Sequence, residues 1–204
     1  KKVTQMIINS INKNYNNIIA ADVGAGTGIF SQCLIDCGVN KITAVEPNDQ
    51  MREAGEKVSN NSIYWKKGSA ENTGLDNSKF DIISMASSFH WADTDKALLE
   101  FSKKLNENGI FVALWNPRLT EESKIENEIQ HLLINKYKLQ KRVSSGRSGI
   151  TNNLKKIVSK SNFFSHLVYL DAVDIEYRTP EVYMGAWRSV NDIRVELGEQ
   201  NFNL

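Results

Sequence analysis

Five groups of residues in this 204-residue chain combine reactive or ligand-binding side chains with informative spacing. The first is Asp22-Val-Gly-Ala-Gly-Thr-Gly28, whose glycines at 24, 26 and 28, with Ala25 between, let backbone approach a ligand closely beside a carboxylate. The second is Glu46, 18 positions beyond Gly28, able to accept hydrogen bonds from two neighbouring hydroxyls. The third is the small turn Ser69-Ala70-Glu71. The fourth, Ser87-Ser88-Phe89-His90-Trp91, sets an imidazole suited to proton transfer or hydrogen bonding among aromatic rings that exclude water. In the fifth, Trp115-Asn116-Pro117-Arg118, the guanidinium offers a fork for a carboxylate. Each residue also has a plainer reading. Glu46 alone could be a solvated acid, His90 a structural histidine bonded to backbone, Phe89 a core ring and Arg118 a solvated loop arginine.

Chemistry at these positions needs elements that hold them together, and the pattern around them supplies such elements. Ile18-Ile19-Ala20-Ala21 reads as the end of a buried strand, and Ile29, Phe30, Cys33, Leu34 and Cys37 recur at helical spacing. Strand and helix patterns then alternate: strand 18–23, helix 28–37, strand 41–46, helix 49–58, strands 63–67 and 80–85, helix 94–105 and strand 109–115, after an opening helix over 3–15. This order predicts an α/β fold, a doubly wound and mostly parallel sheet, with ligand beyond the carboxyl ends of its strands. Strand, glycine turn and helix aim helix N-terminal N–H groups at a polar ligand. The spacing G-x-G-x-G lacks the third glycine of the dinucleotide fingerprint, where Ile29 stands, and no phosphate-loop Lys-Ser/Thr follows. A small nucleoside ligand without a pyrophosphate is favoured over NAD or ATP, with Glu46 on its ribose hydroxyls. Pro47 breaks the second strand and Asn48 caps the next helix.

The motifs D-V-G-A-G-T-G-I-F at 22–30, A-V-E-P-N at 44–48, G-S-A-E at 68–71 and F-D-I-I-S-M-A-S-S-F-H-W at 80–91 resemble, in order, those of class I S-adenosylmethionine-dependent methyltransferases. The resemblance covers residues 18–116 well and the rest loosely. The F-H-W triplet looks like a small-molecule branch that includes the trans-aconitate methyltransferase-like enzymes. It implies a Rossmann-like methyltransferase fold with S-adenosylmethionine as cofactor. Asp22, Gly24, Ala25 and Gly26 would pack on its methionine part, Asp22 reaching the ammonium group directly or through water. Glu46 and Pro47 would take the ribose. Met51, if not a core residue, would cover one adenine face. Ser69, Ala70 and Glu71 would form the adenine-reading turn, although the family commonly has Asp where Ser69 stands. Ser87 would lie at the methyl end, where His90 is the candidate base or substrate partner and Phe89, Trp91, Trp115 and Arg118 the candidate substrate contacts. Trp187 and Arg188 could also face that pocket.

Composition narrows the remaining choices. A hydrophobic fraction of 41% and a charged fraction of 24% fit one soluble domain with a full core. A net charge of +1 gives no electrostatic case for nucleic acid, and no apolar run is long enough to span a membrane. Cys33 and Cys37 read as buried reduced thiols of a cytoplasmic protein, not as metal ligands or a disulfide. The expected partner is a small-molecule substrate; oligomeric state has no signature, and no metal is implied. Residues 1–116 form the expected cofactor-binding core. Residues 117–165 are expected to be a helical lid insertion with a solvated basic loop at 141–149, and 166–204 a strand at 167–177 and a helix starting at Pro180. The resemblance implies a further helix and a last antiparallel strand that the stretch to Leu204 does not supply, leaving a sheet edge open. Methyl transfer to a carboxylate or hydroxyl oxygen is the leading expectation. A domain that binds the cofactor without turnover, and a methyltransferase acting on RNA or protein, are the alternatives.

Overall fold

A computed structural model of the chain describes residues 2–59, 61–116, 123–139, 149–171, 173, 175–188 and 191–202. Its centre is a five-stranded sheet in which every neighbouring pair is parallel, in the order β3-β2-β1-β4-β5. The strands are β1 (Ile19–Val23), β2 (Lys41–Val45), β3 (Tyr64–Lys66), β4 (Phe80–Ala86) and β5 (Leu105–Leu114). The chain winds outward from β1 to β3, then returns to start β4 on the other side of β1. The order therefore reverses at the β1–β4 pair, and a crevice is expected outside their carboxyl ends.

Helices α1 (Lys2–Asn9), α2 (Ile29–Ile35), α3 (Asp49–Val58), α4 (Thr94–Lys104) and α6 (Gly149–Lys160) belong with the sheet to one compact unit, Lys1–Pro117 with Ser145–Leu167. One core cluster sets Val23, Ile83, Phe89, Leu98 and Phe101 against Phe111, Leu154, Ile157 and Phe164. The other gathers Ile8, Ile18, Leu34, Val39, Ile42 and Ile82. The near-continuous apolar runs of β1 and β4 follow from this cover on both faces. Cys37 is buried, whereas Cys33 is only half-buried and lies 3.4 Å from the Thr4 hydroxyl, so one of the two expected buried thiols is partly open.

The second unit comprises Arg118–Ser144 and Val168–Leu204. In it α5 (Lys124–Tyr137), α7 (Pro180–Arg188) and α8 (Asn191–Phe202) surround Leu133, Leu139 and Trp187, and the Tyr183 hydroxyl donates to Glu126 Oε1 at 2.8 Å. Trp187 is thus a core residue of this unit.

Several elements depart from the sequence pattern. The opening helix stops at Asn9, where Ser10 donates to the Ile7 carbonyl and Asn14 caps a separate 3-10 turn at Tyr15–Asn17. β5 starts at Leu105, ahead of the expected 109. Leu105 pairs with Phe80 before an irregularity absorbs Asn106-Glu-Asn-Gly109, which reads as a turn. The expected strand at 167–177 is absent: its described residues form neither strand nor helix, and Val168, Ile175 and Tyr177 are exposed. Alternation makes a strand only where a ladder partner exists, and the second unit has no strand among its described residues. Conversely, α8 occupies a stretch too weakly amphipathic to be flagged from sequence, with a kink at Gly198.

At the amino ends of the strands Asp81 acts as a brace. Its carboxylate accepts from Lys13 Nζ at 2.6 Å, from the Ile19 N–H at 2.9 Å and from the Asn106 amide. Burial pushes this carboxyl up, but the three bonds together hold it below the usual range. Asp81→Ala strips the Ile19 N–H of its acceptor and is expected to cost about 1–3 kcal/mol, read as a lower urea midpoint at unchanged slope. A hollow of about 370 Å³ at this same end, lined by Ile19, Lys41, Tyr64 and Phe80, touches none of the candidate site residues.

Candidate functional site

The described residues of the groups singled out by spacing sit at or just beyond the carboxyl ends of β1, β2, β3, β4 and β5. After β1 the chain turns sharply: Gly24, Gly26 and Gly28 all have positive φ, at +67°, +59° and +86°. Only glycine takes these values readily. At Gly24 a Cβ would lie 2.8 Å from the Ser88 side chain, so this loop and the one after β4 press together. At Gly28 it would meet the Trp65 ring at 2.9 Å, and Gly55 in α3 lets the same ring lie against that helix. At Gly26 a Cβ would meet nothing within 4 Å; here the loop faces open space.

The loop is fastened to β2 by its own N–H groups. Gly24 and Ala25 donate to the Val45 carbonyl at 2.8 and 3.2 Å, and Gly26 donates to Glu46 Oε2 at 2.8 Å. These three donors serve the fold, so a ligand would meet the loop's surface and not those N–H groups. The second Glu46 oxygen accepts from the Asn48 N–H at 3.0 Å, and Glu46 is only 6% exposed. Each oxygen keeps a further acceptor direction. Two adjacent ribose hydroxyls would fit that remaining capacity. Pro47 is exposed, Asn48 caps α3 through a bond to the Met51 N–H at 3.0 Å, and Met51 is exposed on the first turn of that helix.

Asp22 is buried beneath the loop at 1% exposure. Its carboxylate accepts from Ser31 at 2.7 Å and Ser84 at 3.1 Å, pinning α2 and β4 to β1. Burial raises its pKa to about 6, against the lowering effect of the two hydroxyls and with a smaller push from the Glu46 charge. Asp22 therefore organises the turn from below and offers a ligand little surface.

After β3, Ser69 closes a turn with Asn72: its N–H donates to the Asn72 carbonyl at 3.0 Å, and its hydroxyl accepts from the Asn72 N–H at 3.3 Å. Ala70 is buried. Glu71 accepts from the Asp93 N–H at 2.9 Å, at the start of α4, and the Ser69 hydroxyl also bonds its carboxylate. The loop after β3 is thereby tied to the one carrying His90, a link that spacing gave no reason to expect.

After β4 the backbone is strained at Ser87, a non-glycine residue at φ +54°, whose N–H donates to the Leu114 carbonyl at 2.8 Å. Phe89-His90-Trp91 forms a 3-10 turn. Phe89 is fully buried and packs edge-on against Phe111 with ring centres 5.0 Å apart, so it belongs to the core and has no face for a substrate. Trp91 is 83% exposed, with its ring 4.9 Å from that of His90. His90 is half-buried, and this burial lowers its pKa. The Trp115 indole Nε1 donates to His90 Nδ1 at 3.3 Å. Arg118 lies outside the described residues, as do 141–148 of the basic loop. His131 is exposed on α5, and His166 is exposed, its Nδ1 2.9 Å from the Ser165 hydroxyl.

A parallel sheet in this order, reversing between a glycine turn and the strand that ends just before Ser87, is a Rossmann-like scaffold of the kind class I S-adenosylmethionine-dependent methyltransferases use. Comparison with known proteins agrees: residues 21–113 match the methyltransferase domain family. An uncharacterized methyltransferase of Mycobacterium tuberculosis is 30% identical over 97 residues, covering 48% of this chain and 39% of that protein. A ubiquinone biosynthesis O-methyltransferase of Pelagibacter ubique is 34% identical over 116 residues, covering 55% of this chain and 48% of its own. The matched stretch spans less than half the length of each of these relatives. Among solved structures, a candidate methyltransferase of an antibiotic biosynthesis pathway from Anabaena variabilis superposes with a TM-score of 0.57 at 23% identity, covering 78% of this chain and 60% of that one. At that identity the likeness establishes the fold alone. Among the described residues there is no cluster able to hold a metal ion, and no helix long and apolar enough to cross a membrane.

Proposed function

We propose that this chain transfers a methyl group from S-adenosylmethionine to an oxygen of a small-molecule acceptor, in the manner of the trans-aconitate methyltransferase-like branch. The observation that carries the reading is the pairing of Glu46 with Gly26: a carboxylate with acceptor capacity to spare, beside a glycine open to solvent. Glu46 and Pro47 hold the ribose, the surface of Gly24-Ala25-Gly26 follows the methionine part, and Asp22 keeps that loop in shape. Met51 and the turn Ser69-Ala70-Glu71 flank the adenine. Ser87 and His90 stand where the acceptor meets the methyl group, with Trp91 and Trp115 beside them. The cofactor supplies a methyl group already activated on a sulfonium; the chain's residues align it with the acceptor and exclude water.

The name of the Pelagibacter relative, an O-methyltransferase, favours oxygen as the accepting atom. The near-neutral charge favours a small molecule over RNA, and two cysteines outside any disulfide suit the cytoplasm. Calorimetric titration with S-adenosylmethionine and its demethylated product tests the reading. One-to-one binding, followed by transfer to members of a panel of small acids, phenols and sugars, is the expected result. A folded chain that binds neither compound sinks the proposal, and binding without transfer to any acceptor points to a non-catalytic domain.

A further inference from the structure

His90 and Trp115 stand just beyond the tips of β4 and β5, neighbouring parallel strands whose last register pair is Ala86 with Leu114. The indole nitrogen of Trp115 lies 3.3 Å from His90 Nδ1. An indole N–H donates and cannot accept, so Nδ1 is the acceptor and carries no proton. Burial favours the uncharged ring, and a neutral imidazole with a bare Nδ1 has its proton on Nε2. His90 thus has an N–H to give and no nitrogen free to receive a proton. An alcohol, phenol or ammonium acceptor must lose a proton on methylation, whereas a carboxylate has none to lose.

Building on the methyl-transfer reading above, we propose that Trp115 fixes His90 as an Nε2–H donor and that the acceptor is a carboxylate. His90 donates to one carboxylate oxygen and orients the group. A lone pair on the other oxygen forms the new O–CH₃ bond as the methyl carbon's bond to sulfur breaks, with that bonding pair passing to sulfur. A carboxylate and a sulfonium become a methyl ester and a neutral thioether, with no proton released. Trp115 is a positioning residue in this scheme, acting through the imidazole.

Ring-nitrogen NMR of the ¹⁵N-labelled chain at pH 7, with and without S-adenosylmethionine, tests the assignment directly; loss of the signals in His90→Gln identifies His90 among the three histidines. The expected pattern is a protonated Nε2 and bare Nδ1, becoming a tautomer mixture in Trp115→Phe. A protonated Nδ1, or a spectrum indifferent to Trp115→Phe, overturns it. The second measurement offers methyl-labelled S-adenosylmethionine with size-matched carboxylic acids and phenols. Label should pass to acids and be released again by mild base, as from an ester. His90→Gln, whose amide can donate but cannot act as a base, should stay within about tenfold of the parent turnover. His90→Ala should fall roughly 100-fold, as when a positioned donor is lost, at unchanged cofactor affinity. Transfer to phenols alone, transfer to no acid by a chain that binds the cofactor, or a Gln variant as inactive as the Ala variant overturns the proposal. If S-adenosylmethionine does not bind the parent chain, it is the methyl-transfer reading that fails, and the ring spectra still decide the state of His90.

Discussion

Replacing Glu46 by alanine is expected to weaken S-adenosylmethionine binding by about 2–4 kcal/mol, roughly a 30- to 1000-fold rise in Kd. Two losses combine. The ribose hydroxyls would lose a charged acceptor, and such bonds are worth about 1.5–3 kcal/mol each. The Gly26 and Asn48 N–H groups also lose the carboxylate that joins them across the site, so the loop must be re-ordered when ligand arrives. Glu46→Gln separates the two effects: its amide keeps one acceptor oxygen, and its loss should fall between those of the parent and the alanine variant. Calorimetry on all three, with urea unfolding alongside to confirm intact folding, makes the comparison. A Kd within threefold of the parent in Glu46→Ala would remove Glu46 from the ribose site.

The second large effect is a pH dependence centred on Asp22. Its folded-state pKa of about 6 lies above the ordinary carboxyl value of 3.8, chiefly because burial disfavours the charge. A group raised in this way adds its full stabilisation below the unfolded pKa and loses it as pH climbs through the folded one. The gap amounts to about 3 kcal/mol, present near pH 4 and gone above about pH 7. Asp22→Asn keeps an oxygen for one serine hydroxyl, and its amide can donate to the other, while losing the titration. Unfolding free energies of the two proteins measured in parallel at pH 4.5, 6 and 7.5 should therefore diverge, the variant gaining on the parent as pH rises. A difference that stays constant across that range would show that Asp22 does not titrate between the two pKa values.

Local chemistry was legible in this sequence wherever it is enforced by neighbours in the chain. Pro47 and Asn48 announce α3, and the observed helix runs over Asp49–Val58 as expected. The glycines announce the turn after β1, and all three have the positive φ that justifies them. Contacts between distant loops were not legible. Trp115 on His90 and Glu71 on the Asp93 N–H depend on which strand tips become neighbours, and that is a property of sheet order. Phe89 was ambiguous because a ring beside a reactive imidazole has the same spacing whether it faces the core or a ligand; the structure sends it to the core. The alternation of 167–177 misled because it records two faces without recording a partner. After β5, Arg118 and residues 141–148 of the basic loop lie outside the described residues.

The Asp81 brace has one more consequence. It clasps the amino ends of the strands, while the candidate binding groups hang from the carboxyl ends. β1 alone, at five residues, separates the two by about 16 Å, beyond the range over which substitutions without shared partners normally influence one another. The two ends can therefore be altered independently: gains in robustness made around Asp81 need not disturb ligand preference, and a lineage could retune what the loops recognise while its foundation stays put.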